Sequence, residues 1–489
     1  MSPKRLPFYI IIIVGLLLYL GTVFFDFSYL DDQSLILENQ FIIGNLSNIG
    51  QIFTEDAFFS DKNFYYRPLL NLSLMLDAQV SGFHAWGYHL TNVFIHILVA
   101  SLLFALLKRL KVSEKRSLFL SLFFLVHPVL VQAVAWIPGR NDSLLAVFVL
   151  ATFLFFLKFL EKSRPKDYVW CLIFFLLAIF TKEAAIVIPF LLGFYYLFLN
   201  EKKISVQDKA MFFLGAGAVI FLWYVMRSLA IDQGIGGLKQ VYISILENSP
   251  ALIVGFGKFF LPFNLAIMPV LRDVNIYYGL SAVVLFLIFV FTKRLAKKWI
   301  AFGLVWFILF MLPAFVNPNP VDFYYLLLLE HRLYLPFIGL ILMFSSFKLP
   351  ERGLARKILI EKASVCLGAL VLILFLVLAA LHLPNYQNRI TFWEFAVQKS
   401  PTSPLANRNL GAMYYFDNRT EEARQHFLKA LELNPLEVMA HNNLAVIYLD
   451  EGQLDEAEAE LKAELEINPG YDKALNNLQR LYILKNEVR

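Results

Sequence analysis

The run LPFYIIIIVGLLLYLGTVFF at residues 6–25, followed at once by DFSYLDD at 26–32, decides the class of this protein and holds its first candidate chemistry. A helix of about 20 apolar residues is what crossing the hydrocarbon of a bilayer requires. Lys4 and Arg5 precede the run as in a secretory leader. The run is too long for a leader's apolar region and has no small-residue cleavage site, so it is expected to stay as a first span. The rest of the chain agrees: 59% of its 489 residues are hydrophobic, 49 are Phe and only 17% are charged, a composition with too little polar surface to cover a soluble fold of this size. Cys171 and Cys366 lie inside apolar runs, where they read as small hydrophobes.

Further apolar runs follow at about 89–107, 117–137, 143–160, 167–181, 184–199, 210–226, 278–292, 299–316, 333–347 and 363–382. With the N-terminus in the cytoplasm, the inside loops are 108–116, 158–166, 201–209, 292–298 and 348–362, and all are rich in Lys and Arg, as the positive-inside rule asks. That gives eleven spans, provided 251–270 does not cross, because a crossing there would put Lys293, Arg294, Lys297 and Lys298 outside. Lys258 and Pro262 interrupt this stretch, which is therefore expected to be re-entrant or interfacial.

Beyond His382 the pattern changes. Ala406, Leu410 and Tyr414 recur as Ala440, Leu444 and Tyr448 and again as Ala474, Leu478 and Tyr482, a period of 34 residues that marks tetratricopeptide repeats. The second helix of each unit is marked by Phe427, Ala430 and Asn434-Pro435, then by Leu461, Glu464 and Asn468-Pro469. The expected architecture is all-α: a polytopic membrane bundle over 1–382 and an α-solenoid over 383–489. Full repeats are expected at about 404–437 and 438–471, with a partial unit on either side. From residue 400 onward there are 15 acidic and 9 basic residues, a balance of −6. The net charge of +5 therefore leaves +11 on the membrane part. Eleven spans place the solenoid outside the cytoplasm, where its concave face would bind a peptide.

The same orientation puts Asp31 and Asp32 at the outer surface, next to the first span. A carboxylate at an apolar boundary beside a second carboxylate has its charged form disfavoured, and so suits removal of a hydroxyl proton. The plainer reading is a helix N-cap for residues 33–39. Cations stand on this disfavoured side too: Arg67 in Tyr65-Tyr66-Arg67-Pro68, Arg140 in Gly139-Arg140-Asn141-Asp142, Lys182 in Thr181-Lys182-Glu183, and Arg332 in Glu330-His331-Arg332. Singly, each reads as a snorkelling group or one partner of an ion pair with an adjacent acid, Lys182 with Glu183 and Arg332 with Glu330. Together they could hold a lipid phosphate and stabilise the charge that develops as it leaves. His84, His89 and His96 are not spaced as a metal pair on one helix face, and no metal site is expected. No phosphate-cradling glycine loop or nucleophile elbow is present, Gly234-Ile235-Gly236-Gly237 reads as a flexible loop, and no nucleic-acid partner is expected.

In order along the chain, Tyr29-Leu30-Asp31-Asp32, Tyr66-Arg67-Pro68-Leu69, Tyr88-His89-Leu90-Thr91-Asn92, His127-Pro128, Ala133-Val134-Ala135, Gly139-Arg140-Asn141-Asp142, Thr181-Lys182-Glu183 and Glu330-His331-Arg332-Leu333-Tyr334-Leu335-Pro336 resemble a GT-C glycosyltransferase. Followed by tetratricopeptide units, they are most similar to the transmembrane and tetratricopeptide-repeat-containing protein O-mannosyltransferases and their prokaryotic relatives. The resemblance implies a polyprenyl-phosphate sugar as co-substrate, no further cofactor, and a base within the acidic pair, Asp31 first and Asp32 second. Inverting displacement would follow, with Arg140 and Lys182 foremost at the donor phosphate, Arg332, His331 and Arg67 beside them, and Glu183, Asp142 and Glu330 in support. It implies a multi-pass protein of the plasma membrane with its repeats on the extracytoplasmic side. The array is shorter than in the animal members, so the acceptor could instead be a glycolipid or cell-wall polymer. A non-catalytic membrane-anchored scaffold is the reading from outside the class, and a transporter ranks below it, because inverted repeats are not evident among the spans.

Overall fold

The computed structural model describes residues 5–60, 65–200, 205–231, 238–291, 295–316, 329–347 and 354–487, and side chains within 354–361 are left aside. The Gly234–Gly237 loop, most of the 317–332 loop and the basic stretches at 201–204, 293–294 and 348–353 lie outside the described residues. The chain forms two compact units: one runs to Gln387 apart from Ala266–Val274, and the other comprises Ala266–Val274 and Asn388 onward.

Among its described residues, the regular elements of the first unit are all helices. Among these, six helices are long and apolar enough to cross a membrane: Leu6–Phe24, Ala85–Arg109, Ile137–Lys162, Val206–Ala230, Lys297–Phe315 and Lys362–Tyr386. Glu114–Leu125 and Pro128–Ala135 make one further crossing if taken together, bent by 57° where His127-Pro128 interrupts the hydrogen-bond ladder. The remaining apolar runs form shorter helices, Pro165–Thr181, Glu183–Phe198, Ile276–Phe291 and Tyr334–Ser345. The length of these segments accounts for the difference from a count of eleven. The stretch around Lys258 is an 11-residue helix, Pro250–Phe260, that gives way to turns. Lys258 is buried there, its Nζ 2.6 Å from Glu330 Oε1.

Close helix approaches shape this unit. A Cβ added at Gly339 would meet the Trp306 side chain at 2.7 Å, so the helices Lys297–Met311 and Tyr334–Ser345 pack at a distance that only a glycine permits. Trp306 is fully buried and its indole N–H donates to the Leu335 carbonyl at 2.8 Å.

In the second unit, Asn388 and Thr391 close a capping box at the start of Arg389–Lys399. Five more helices follow, two antiparallel pairs, Pro404–Phe416 with Thr420–Leu433 and Ala440–Asp450 with Leu454–Ile467, and then Asp472–Glu487. The periodic residues are where the repeat demands them, with Ala406, Ala440 and Ala474 fully buried at each helix crossing and Phe427 and Leu461 facing them. Glu464, also fully buried, accepts the Met439 N–H at 2.8 Å and the Asn442 N–H at 3.2 Å. It caps the helix Ala440–Asp450 from the neighbouring helix, because Met439 stands in the left-handed region at φ 68 and supplies no cap of its own. Asp273 belongs to this unit through its carboxylate, which accepts from the Thr402 N–H at 3.0 Å and hydroxyl at 2.9 Å.

Glu464→Ala removes both acceptors from a buried helix end and should destabilise the repeat unit by about 1–3 kcal/mol. Hydrogen exchange in the full-length protein should show faster opening of Ala440–Asp450 with the membrane unit unaltered.

Candidate active site

The acidic pair is divided by its backbone. Tyr29 takes φ 58, a conformation costly for a bulky residue, and turns the chain back on itself. The Asp32 carboxylate then accepts from the Ser28 N–H at 2.5 Å, the Ser28 hydroxyl at 3.0 Å and the Leu30 N–H at 2.9 Å, and it is 1% exposed. The N-cap reading is therefore half right: Asp32 is satisfied by backbone N–H groups, but by those of the preceding turn. Asp31 is half-buried, and among the described residues none hydrogen-bonds its carboxylate. Desolvation, then the charge of Asp32, pushes its pKa up to about 6, while Arg67 and Arg332 pull the other way.

These two guanidinium groups belong to a cluster drawn from four places in the sequence. Arg67, at the start of the helix Pro68–Ser81, forks onto Glu183 with contacts of 3.1 and 2.6 Å and lies over the Tyr65 ring. Lys182 leaves the helix Pro165–Thr181 in an extended conformation, φ −160, and its Nζ donates to both Asp142 oxygens at 2.8 Å and to Asn141 at 3.0 Å. Burial, with the Arg67 and Arg332 charges beside it, holds Lys182 below the ordinary lysine range, and Asp142 opposes that shift. Arg332 donates to the Ala314 carbonyl at 2.9 Å. His331 Nε2 stands 3.8 Å from Asp142, and its backbone N–H donates to Gln132 Oε1 at 2.9 Å. Asp31, Arg67, Asp142, Lys182, Glu183, His331 and Arg332 are thus brought together within one unit.

Two other expected residues are placed elsewhere. Arg140 is fully buried: its Nε donates to Asn92 Oδ1 at 2.6 Å, one terminal nitrogen meets Asp77 at 2.5 Å and Ser73 at 3.3 Å, and the other donates to the Tyr88 carbonyl at 2.7 Å. A guanidinium engaged on every nitrogen has no face left for a donor phosphate, and Arg140 braces three helices instead. Gly139 allows this, since a Cβ there would meet the Gln132 carbonyl at 2.7 Å. Glu330 is likewise enclosed, paired with Lys258 at 2.6 Å and 3.7 Å from His382, and supports that pair rather than the cation cluster.

Trp136 was not among the expected residues. Its indole N–H donates to the Ser28 hydroxyl at 3.0 Å and its ring packs on His331 at 5.0 Å, joining the acidic turn to the cations. Gln132, one turn earlier, holds His331 from the same segment. The only signal in sequence was their position between two of the resemblance motifs, inside a run that otherwise reads as buried core.

Residues 67–228 match the family model described as dolichyl-phosphate-mannose-protein mannosyltransferase, and residues 393–472 match a tetratricopeptide-repeat model. By these matches the chain is similar to the TMTC protein O-mannosyl-transferases. Its similarities include the protein O-mannosyl-transferase tmtc2 of Xenopus laevis, 30% identical over 230 residues that cover 44% of this chain and 27% of that protein. TMTC2 of Mus musculus is 35% identical over 150 residues, 30% of this chain and 18% of the relative. TMTC4 of Homo sapiens is 29% identical over 251 residues, 44% of this chain and 33% of the relative. The matches therefore span a third or less of these relatives' own lengths. The mannosyltransferase match begins at Arg67 and takes in Lys182 and Glu183, the residues that pair in the cluster.

Arg140→Ala leaves Asp77 charged and buried without its partner, which should destabilise the membrane unit by about 3–5 kcal/mol. Thermal unfolding in detergent should show the loss directly. A melting temperature equal to that of the unaltered protein would contradict the bracing role.

Proposed function

We propose that this protein transfers mannose or another hexose from a polyprenyl-phosphate donor to hydroxyl groups of an extracytoplasmic polypeptide. The observation that carries this reading is the half-buried Asp31 carboxylate, free of hydrogen bonds from the described residues and facing Arg67 and Arg332 within a group of cations. Asp31 accepts the proton of the acceptor hydroxyl as that oxygen attacks the anomeric carbon. The bond from that carbon to the phosphate oxygen breaks, its electron pair leaves with the polyprenyl phosphate, and the anomeric configuration inverts. Arg332 and Arg67 hold the departing phosphate, where positive charge stabilises the developing anion, Lys182 adds its charge from behind Asp142 and Asn141, and His331 stands beside them. Asp142 and Glu183 keep Lys182 and Arg67 in place. Asp32 shapes the turn and raises the basicity of its neighbour. The repeats bind the acceptor chain. The names of the relatives and the mannosyltransferase model support the class of reaction. The positive-inside pattern supports eleven crossings, a plasma-membrane protein with the acidic turn and the repeats outside, and a re-entrant Pro250–Phe260.

Asp31→Asn should abolish transfer from a native lipid-linked donor while leaving the fold intact. Wild-type turnover by a folded Asp31→Asn protein would remove the assigned base. A base must be unprotonated to act, so kcat should fall about tenfold per pH unit below an inflection near 6 and level off above it. A profile flat from pH 5 to 8 would contradict Asp31 as base. Sidedness can be read from Lys473→Cys in a Cys366→Ser background, since Lys473 is exposed on the repeats. An impermeant thiol reagent should label it on intact cells, and labelling only after permeabilisation would reverse the orientation.

A further inference from the structure

A groove lies beside the helix that leads into the acidic centre, towards the end away from it. The helices Glu114–Leu125, Pro250–Phe260, Tyr334–Ser345 and Leu354–His382 border a groove of about 970 Å³ whose walls are almost wholly apolar. That volume lies near the upper end of the range for sites that hold small molecules. Ten residues along the helix from Ser113 the wall is aromatic, with Phe123 packed on Phe259 at 5.4 Å and on Phe375 at 5.1 Å. Beyond them lies His127, whose ring is 5.3 Å from that of Phe123. An occupant long enough to be amphipathic must therefore keep its polar end at the opposite mouth, lined by Ser113, Lys115 and Arg116.

The chemistry of that mouth suits a phosphate. Lys115 is exposed and Arg116 half-buried, with Arg116 fixed by donation to the Ser345 carbonyl at 3.2 Å. Ser113 is the N-cap residue of Glu114–Leu125, yet its side chain makes no cap bond, so its hydroxyl and the N–H groups of the first turn remain available to an anion. The acid of this turn, Glu114, lies 4.0 Å from Lys108 and does not cancel Lys115 or Arg116. Arg116 to Val126 is about 15 Å of helix, and only after that rise does the chain bend towards Trp136 and the acidic turn. The mouth is therefore remote from the group of cations around Asp31. Basic pockets between spanning helices are a recurrent means of binding anionic lipid heads.

We propose that this groove binds one anionic phospholipid, with its phosphate at Ser113, Lys115 and Arg116 and its acyl chains along the apolar walls, separately from the donor lipid. The groove and its charged mouth are independent of the transferase reading. The test is native mass spectrometry of the full chain released from nanodiscs of equal phosphatidylglycerol and phosphatidylcholine. One phosphatidylglycerol should be retained in preference to phosphatidylcholine. The double variant Lys115→Gln with Arg116→Gln should weaken that preference on the order of tenfold, in line with the contribution of each basic residue at a lipid surface. Leu372→Trp, which fills the groove from one wall, should expel the lipid whatever its head. Both variants must keep the wild-type melting temperature in detergent, and if either does not, Lys115→Ala alone carries the same comparison. Equal retention of the two lipids, or a preference that survives loss of both charges, would overturn the proposal. Displacement of the bound phosphatidylglycerol by polyprenyl phosphate would overturn it as well, by assigning the groove to the donor. A loss of transfer in Asp31→Asn has no bearing on either result.

Discussion

Hydrocarbon cannot hydrogen-bond, and each charge carried into the apolar unit must therefore find its partner within the protein. Arg140 shows how completely this is met. Its guanidinium draws together Asp77 on one helix, Asn92 and the Tyr88 carbonyl on the next, and its own helix beyond Gly139. Thr91 donates to Asp77 at 2.6 Å and Asn92 donates to the Val134 carbonyl at 3.1 Å, so the acid and the amide are themselves held. The segment 132–139 is fixed by this knot, and from it project Gln132 and Trp136, which position His331 and the acidic turn. The candidate site is thus suspended from an ion pair that takes no part in it.

Much of this organisation was legible. The 34-residue period specified the repeats down to the alanines at the helix crossings, because a stacked array needs the same small residue at the same place each time. The grouping of Arg67, Lys182, Arg332 and Asp31 was also foreshadowed, since charges at the ends of apolar runs have few other places to go. Individual roles were not legible. Arg140 and Arg67 look alike in sequence, each at the head of an apolar helix with an acid within reach. What separates them is whether the guanidinium is enclosed, and that is decided by residues such as Asp77 and Asn92, 63 and 48 positions away from Arg140. Asp31 and Asp32 were equally indistinguishable until the left-handed Tyr29 turned one carboxylate inward.

The helix lengths carry a related lesson. Apolar runs such as 184–199 and 333–347 were long enough by composition to suggest spans, but each begins in a 3-10 turn, at Glu183–Val187 and Glu330–Leu333, that shortens its α-helix. Those turns carry Glu183, His331 and Arg332. The departures from regular helix are the places where polar side chains can be aimed into the unit, because irregular backbone there frees the direction of the side chain and is enclosed by protein.

The bonds that the Asp32 carboxylate accepts in the Ser28–Asp32 turn span no more than four residues, whereas the cations beside it come from positions 67, 182 and 332. During synthesis the turn is complete as soon as the first helix has emerged. At about 5–20 residues per second, Arg332 follows some 15–60 s later. The acidic half of the site is therefore written in five consecutive residues, and its cationic half in the whole fold.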